Sequence, residues 1–279
     1  MTTPPVPATA PNTLPSSPWY ERLSWLFVLV VGVFAYIVIF VVMLLTRNTT
    51  LLPTVLLVGA GTVPLTVLLA AQTTRRGILV PIPIVLLTVG VGGLLAVTIA
   101  GFLETIAALI LGQESILLVG IIEETAKLIV PLLVLAIAHR ATRGGGIAVG
   151  IAAGTGFAVL ETMGYGFNAL LERGGGLAAL DSTLVLRAIL VPAGHVAWTG
   201  AICAAVWHLV EGRRKGLAVL ELVLTYVAAI VLHTAWDATS SAVLHVLIGV
   251  VSVGALVFLI LRAHRSHVRS LESVAGDPR

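Results

Sequence analysis

Eight apolar runs follow one another through this chain, separated only by short polar breaks. Their approximate limits are 24–45, 51–71, 78–102, 116–138, 146–168, 184–211, 217–240 and 243–262. A helix needs about 20 apolar residues to cross a bilayer, and in lipid its backbone polar groups must be satisfied within the segment. The pattern predicts an all-α polytopic transmembrane helical bundle of about eight spans. Only 10% of the 279 residues are charged, against roughly 25% in a soluble globular domain. No stretch between the runs is long enough to fold alone, so one transmembrane domain is placed at 23–262.

The flanks read differently. Residues 1–22, rich in Pro, Thr and Ser, read as a disordered cytoplasmic tail. That tail lacks a basic n-region before the first run, and no clear small-residue cleavage site follows it, so the first run reads as a retained span. Residues 263–279 read as a polar, disordered cytoplasmic tail, and 103–115, with Glu104 and Glu114, as a short interfacial helix.

Basic residues orient the bundle. Arg75 and Arg76 follow the second run, Arg140 and Arg143 the fourth, Arg213, Arg214 and Lys215 the sixth, and Arg262, Arg265 and Arg269 the eighth. The alternate loops hold Arg47 and Arg173, with Arg187 at a span entrance. By the positive-inside rule both termini are cytoplasmic. The formal net charge of +3 is therefore a topology signal, and nucleic acid is not an expected partner. The lone Cys203 rules out an intrachain disulfide and a cysteine metal cluster, and reads as a packed thiol. Gly150 and Gly154 form a GxxxG pair that reads as close helix packing. Pro131 and Pro192 each remove a backbone donor and kink their spans, and the second kink lies where it can aim His195.

A charge inside a membrane is costly, so each one asks for a function. Runs four to seven carry Glu123, Glu124, Lys127, Glu161, His195, His233 and Asp237. Glu123 and Lys127 are four apart and share a helix face, and Glu124 is three from Lys127. One lysine neutralises one carboxylate, which leaves the other to be protonated, to bind a cation, or to act as acid or base. His233 and Asp237, also four apart, suit two ligands of one metal, or a ligand and the carboxylate that orients it. Counted from the outer span ends, Glu123, Glu161 and His233 lie roughly 10 Å deep at 1.5 Å per residue, and His195 somewhat deeper. Asp237 lies nearer the surface. One shared site in the outer half is the expectation. His208, Glu221 and His245 fall elsewhere and read as interfacial or packing residues. His139, His264 and His267 fall in cytoplasmic loops or the tail.

Two histidines and carboxylates from separate helices suit metal-assisted hydrolysis. Zn²⁺ fits oxygen and imidazole ligands and lowers the pKa of bound water to about 7. Glu123 or Glu124 is then the base, with Lys127 tuning the pair. Glu161, His195, His233 and Asp237 bind the metal or polarise the carbonyl. Paired glutamates activating water without a metal form the alternative. The zinc helix H-E-x-x-H, the G-x-S-G serine motif and the G-x-G-D aspartyl motif are absent.

Glu123-Glu124-x-x-Lys127, Phe157-x-x-x-Glu161, the His195 helix and His233-x-x-x-Asp237 resemble, in order, the motifs of the PrsW family of intramembrane proteases, within the wider CAAX-protease and Abi superfamily. The resemblance covers roughly 116–240. The CAAX branch has E-E-x-x-x-R and F-x-x-x-H, where this chain has Leu128 and Glu161 at the corresponding places. The resemblance implies a protease of the bacterial plasma membrane that cuts single-span membrane proteins. In PrsW itself the implied substrate is an anti-sigma factor, cut on the outer side. A proton- or ion-coupled transporter is the competing class, because intramembrane Glu, His and Asp also mark ion paths. A non-enzymatic scaffold is the third.

Overall fold

Residues 17–275 are described by a computed structural model, apart from Arg76 and Arg213. The expectations for 1–16 and 276–279 lie outside the described residues. A short α1 (Trp19–Arg22) leads into α2 (Ser24–Thr46). A turn through Arg47 (φ 54°) and a 3-10 turn at Thr49–Leu51 follow, the latter capped by the Asn48 side chain. Next comes α3 (Leu52–Gln72). A two-stranded hairpin, β1 (Thr73–Thr74) with β2 (Gly77–Ile78), turns the chain back, and the Gln72 amide bonds both backbone groups of Val80. α4 (Ile82–Leu87), a π turn (Thr88–Gly92) and α5 (Gly93–Leu111) then form one continuous span.

α6 (Ile116–Ala126) and α7 (Ile129–Ala138) follow, then a 3-10 turn at His139–Thr142. α8 (Gly146–Leu171) runs through the middle of the bundle. α9 (Leu177–Leu190) and α10 (His195–Glu211) are separated by a 3-10 turn at Val191–Ala193. α11 (Lys215–Ala238) and α12 (Ala242–Ala275) complete the described chain. Among the described residues seven segments are long and apolar enough to cross a membrane, and the protein is an all-α polytopic bundle.

The fourth expected span, 116–138, is present but split, so neither half counts as a span alone. Pro131 explains the break. A proline has no N–H to donate four residues back, and its ring crowds the carbonyl at that position. That position is Lys127. The chain tightens there, with Leu128 N–H donating to Thr125 O at 3.1 Å. The sixth span starts earlier than its predicted limit and breaks at Pro192, which places His195 as the first residue of α10.

Two other expectations are corrected. Residues 103–111 are not a separate interfacial helix, because neither Gly nor Pro lies between Gly101 and Gly112 (φ 69°), and α5 continues through them. The tail from Ala263 is helical to Ala275, because the stretch after Gly254 has neither Gly nor Pro until Gly276. His264 Nε2 meets the Ala71 carbonyl at 2.7 Å and ties this extension to the end of α3.

α8 is the axle. It packs against α3, α5, α9 and α10, and Gly146–Ala158 are all buried. Its glycines permit the close approach. A Cβ on Gly150 would lie 2.4 Å from the Thr199 carbonyl oxygen, and one on Gly154 would lie 2.5 Å from that of His195. On the opposite face a Cβ at Gly156 would meet the carbonyl of Val89, in the π turn, at 2.0 Å. The GxxxG pair is thus close packing, and Cys203 is buried in the same seam. α2 buries little beyond Met43 and turns Phe27 and Phe34 outward, the surface a lipid-facing helix needs.

Candidate active site

The two helix breaks meet at the site. Glu123 and Glu124 sit in the last turn of α6, and Lys127 caps it where Pro131 ends the helix. Thr125 holds α6 to α11 through a 2.6 Å contact with the Tyr226 hydroxyl. Gly120 lets α11 come closer still, since a Cβ there would lie 2.9 Å from Thr234 Oγ1. That approach brings His233, one residue before Thr234, over the glutamate pair.

Lys127 is the hub. Its buried ammonium donates to Glu124 Oε1 at 2.8 Å and to His195 Nδ1 at 2.8 Å, and lies 3.3 Å from Glu123 Oε2. The Phe157 ring sits beneath it, 4.2 Å from ammonium to centroid. An ammonium only donates, so His195 Nδ1 is the acceptor, and Nε2–H donates to Glu161 Oε2 at 2.9 Å. His233 Nδ1–H donates to Glu124 Oε1 at 2.9 Å, and its Nε2 lies 3.2 Å from Asp237 Oδ2 and 3.5 Å from Glu123 Oε2. All seven residues expected from the sequence therefore share one cluster.

The two glutamates differ in environment. Glu124 is fully enclosed and spends one oxygen on Lys127 and His233. Glu123 lines a polar cavity of about 410 Å³ with Glu104, Glu114, Tyr165 and Asp237. Its Oε2 is buried without a hydrogen-bond donor among the described residues. A second cavity of about 480 Å³ reaches the cluster from another side, past Glu161, His195, His233 and Asp237.

A metal can be fitted. Glu123, His195 and His233 each present a ligand atom, all within 4.8 Å of one another. A carboxylate oxygen beside two imidazoles is the donor set a borderline divalent cation takes, and a cation held by His195 Nδ1 would replace the hydrogen bond that this nitrogen accepts from Lys127. Glu161 stands behind His195 and accepts from its Nε2–H, whereas Asp237 lies 3.2 Å from His233 Nε2, on the side of that ring that also faces Glu123.

Sequence reasoning passed over three contributors. Arg187 of α9 pairs with Glu161, donates Nε–H to Thr162 Oγ1 at 3.1 Å and stacks over Tyr165 at 4.1 Å. Its signal was a lone arginine inside an apolar stretch. Trp198 sets its ring edge-on to His195, with centroids 5.9 Å apart, and its indole N–H donates to Ser252 of α12. Glu104 reaches the polar cavity because α5 continues past residue 102. Of the residues set aside, His208 pairs with Glu221 away from the cluster. His245 packs on Trp236 and meets its carbonyl at 3.0 Å, yet also lines the second cavity.

The fold and the site together define a multi-pass membrane protein with a buried Glu–His–His group able to hold a metal. The chain belongs to the PrsW family of intramembrane metalloproteases, whose family model matches residues 80–263, and it is a membrane-embedded protease. That assignment decides against the carrier reading. No curated protein and no solved structure matches the chain.

Proposed function

We propose that the protein hydrolyses peptide bonds of single-span membrane proteins, with Glu123 taking the proton from the attacking water. The observation that carries this is the contrast within the pair: each glutamate keeps one buried oxygen without a hydrogen-bond donor among the described residues, but only Glu123 borders the polar cavity, and Glu124 is sealed. A base must reach the water it deprotonates. Glu123 then passes the proton to the leaving amine. Glu124 serves as the fixed acceptor that holds Lys127 and His233 in place. Lys127 balances the charge of the pair and directs the His195 ring, and Glu161 holds the far side of that ring.

Glu123, His195 and His233 are the residues that would hold a divalent ion, with Zn²⁺ the best match to this donor set. When bound, the ion supplies Lewis-acid polarisation of the scissile carbonyl and a lowered pKa for water. A carboxylate bound through one oxygen keeps the other for the proton.

The distribution of arginines supports both termini cytoplasmic and the site in the outer half, in what the family resemblance implies is a bacterial plasma membrane. An anti-sigma factor cut on its outer side fits that placement. The test is cleavage of a co-reconstituted single-span substrate by wild type, Glu123→Gln and His195→Ala. Loss in both variants, with folding intact, is expected. Full cleavage by both would sink the proposal.

A further inference from the structure

The site opens through two cavities of opposite character. One, of about 410 Å³, lies where α5 ends and α6 begins, and its walls include Glu104, Glu114, Ser115 and Glu123. The other, of about 480 Å³, lies beside the α9–α10 break and against the start of α12. Its surface is mainly apolar, with Leu186, Leu190, Trp198, Trp236 and Val246 in its walls and the charged groups of Glu161, Arg187 and Asp237 beside the two site histidines. Asp237 borders both. Glu123 lines only the polar cavity, and Glu161, His195 and His233 line only the apolar one.

Hydrolysis inside a bilayer needs two deliveries by different routes. Water does not come from lipid and needs a polar path. An apolar peptide comes from lipid and does not favour a carboxylate-lined path. From this division we infer that the cavity between the α9–α10 break and the α11–α12 turn is the docking surface for an unwound apolar segment of the substrate's own span, and that the acidic cavity carries water. The inference rests on the protease reading and adds the route to it. Continuity with the site supports the assignment: a carbonyl entering past Leu190 and Trp236 meets His195 and His233 with Glu123 on its far side, facing the water.

The length of the interruption fits such a guest. α9 stops at Leu190 and α10 starts at His195, so only the 3-10 turn at Val191–Ala193 closes the wall between them. Leu190, Gly194 and Ala242 border the opening, and two of these three carry almost no side chain.

The experiment uses the full chain in liposomes with a single-span substrate. A photo-crosslinking phenylalanine analogue is placed at Leu190 or Val246, and in parallel at Ala107 or Leu118 of the acidic cavity. Each is carried on Glu123→Gln so that bound substrate persists. Capture of substrate from 190 and 246, competed by excess unlabelled substrate, and no capture from 107 and 118 is the expected result. In the otherwise native enzyme, Ala242→Trp raises KM on the order of tenfold with kcat little changed, the signature of lost binding. Capture from 107 and 118 instead, or Ala242→Trp and Leu190→Trp cleaving as wild type does, overturns the route. Absence of cleavage by the wild type itself defeats the protease reading, which the crosslinks read separately.

Discussion

Lys127 makes three close polar contacts to groups on two helices, α6 and α10, and each neighbour depends on it. Glu123→Gln is expected to lower kcat by about 10²–10⁴-fold, the range of a lost general base, with the melting temperature little changed. Lys127→Met is a different kind of change. Removing one partner of a buried ion pair costs about 3–5 kcal/mol because the other is left uncompensated, so a large drop in melting temperature is expected, measured in detergent by intrinsic fluorescence. Arg187→Lys keeps the charge but loses the planar fork that spans Glu161 and Thr162. A fall in kcat with KM unchanged is expected, and an equal change in both would show that Arg187 has no positioning role. The seven polar residues were legible because charge in an apolar run is conspicuous. Arg187 was not, because its meaning depends on Glu161, 26 positions away in the chain. The distinction between Glu123 and Glu124 was equally invisible, since adjacent residues on a helix face different neighbours only once α11 is packed.

Elements set the precision of the site through what they lack. Pro131 denies Lys127 its helical partner, and the glycines of α8 deny their helix side chains. Gly154→Leu is expected to force α10 away, because even a Cβ would lie 2.5 Å from the His195 carbonyl oxygen. Both activity and melting temperature should fall, and Gly164→Ala, where a Cβ meets nothing within 4 Å, is the control expected to leave both unchanged. Helix positions were readable from hydrophobic run length, and the GxxxG pair from its spacing. The ends of α5 and α12 were misplaced because polarity was taken as the limit of a helix. α5 runs on to the breaker at Gly112, and α12 is helical through Ala275, neither stopping where lipid gives way to water.

At the scale of the whole molecule, the bundle separates a polar face of the site from an apolar one. Metal removal probes the centre of that arrangement. Dialysis against a chelator should abolish cleavage, and readdition of Zn²⁺ should restore it. Stoichiometric metal should be present in the wild type and lost in His233→Ala by elemental analysis. Cleavage that survives complete demetallation would instead favour the paired glutamates acting alone. The fold class could be read from the sequence because lipid permits few solutions. The cavities could not, because they lie between helices distant in the chain, such as α5 and α11.

The split helix α6–α7 also bears on how the protein is made. Its segment carries Glu123, Glu124 and Lys127, each of a type that costs a few kcal/mol to insert at mid-membrane. The groups that offset this cost are synthesised later: His195 lies 68 residues after Lys127, and His233 lies 109 after Glu124. A ribosome that has released only the first half of the chain therefore presents the translocon with a span whose partners do not yet exist. Chains truncated after residue 190 should leave 116–138 poorly inserted, as read by a glycosylation reporter in its flanking loop. Full-length chains should carry it across. Assembly of the centre and completion of the topology would then be a single late event in biogenesis.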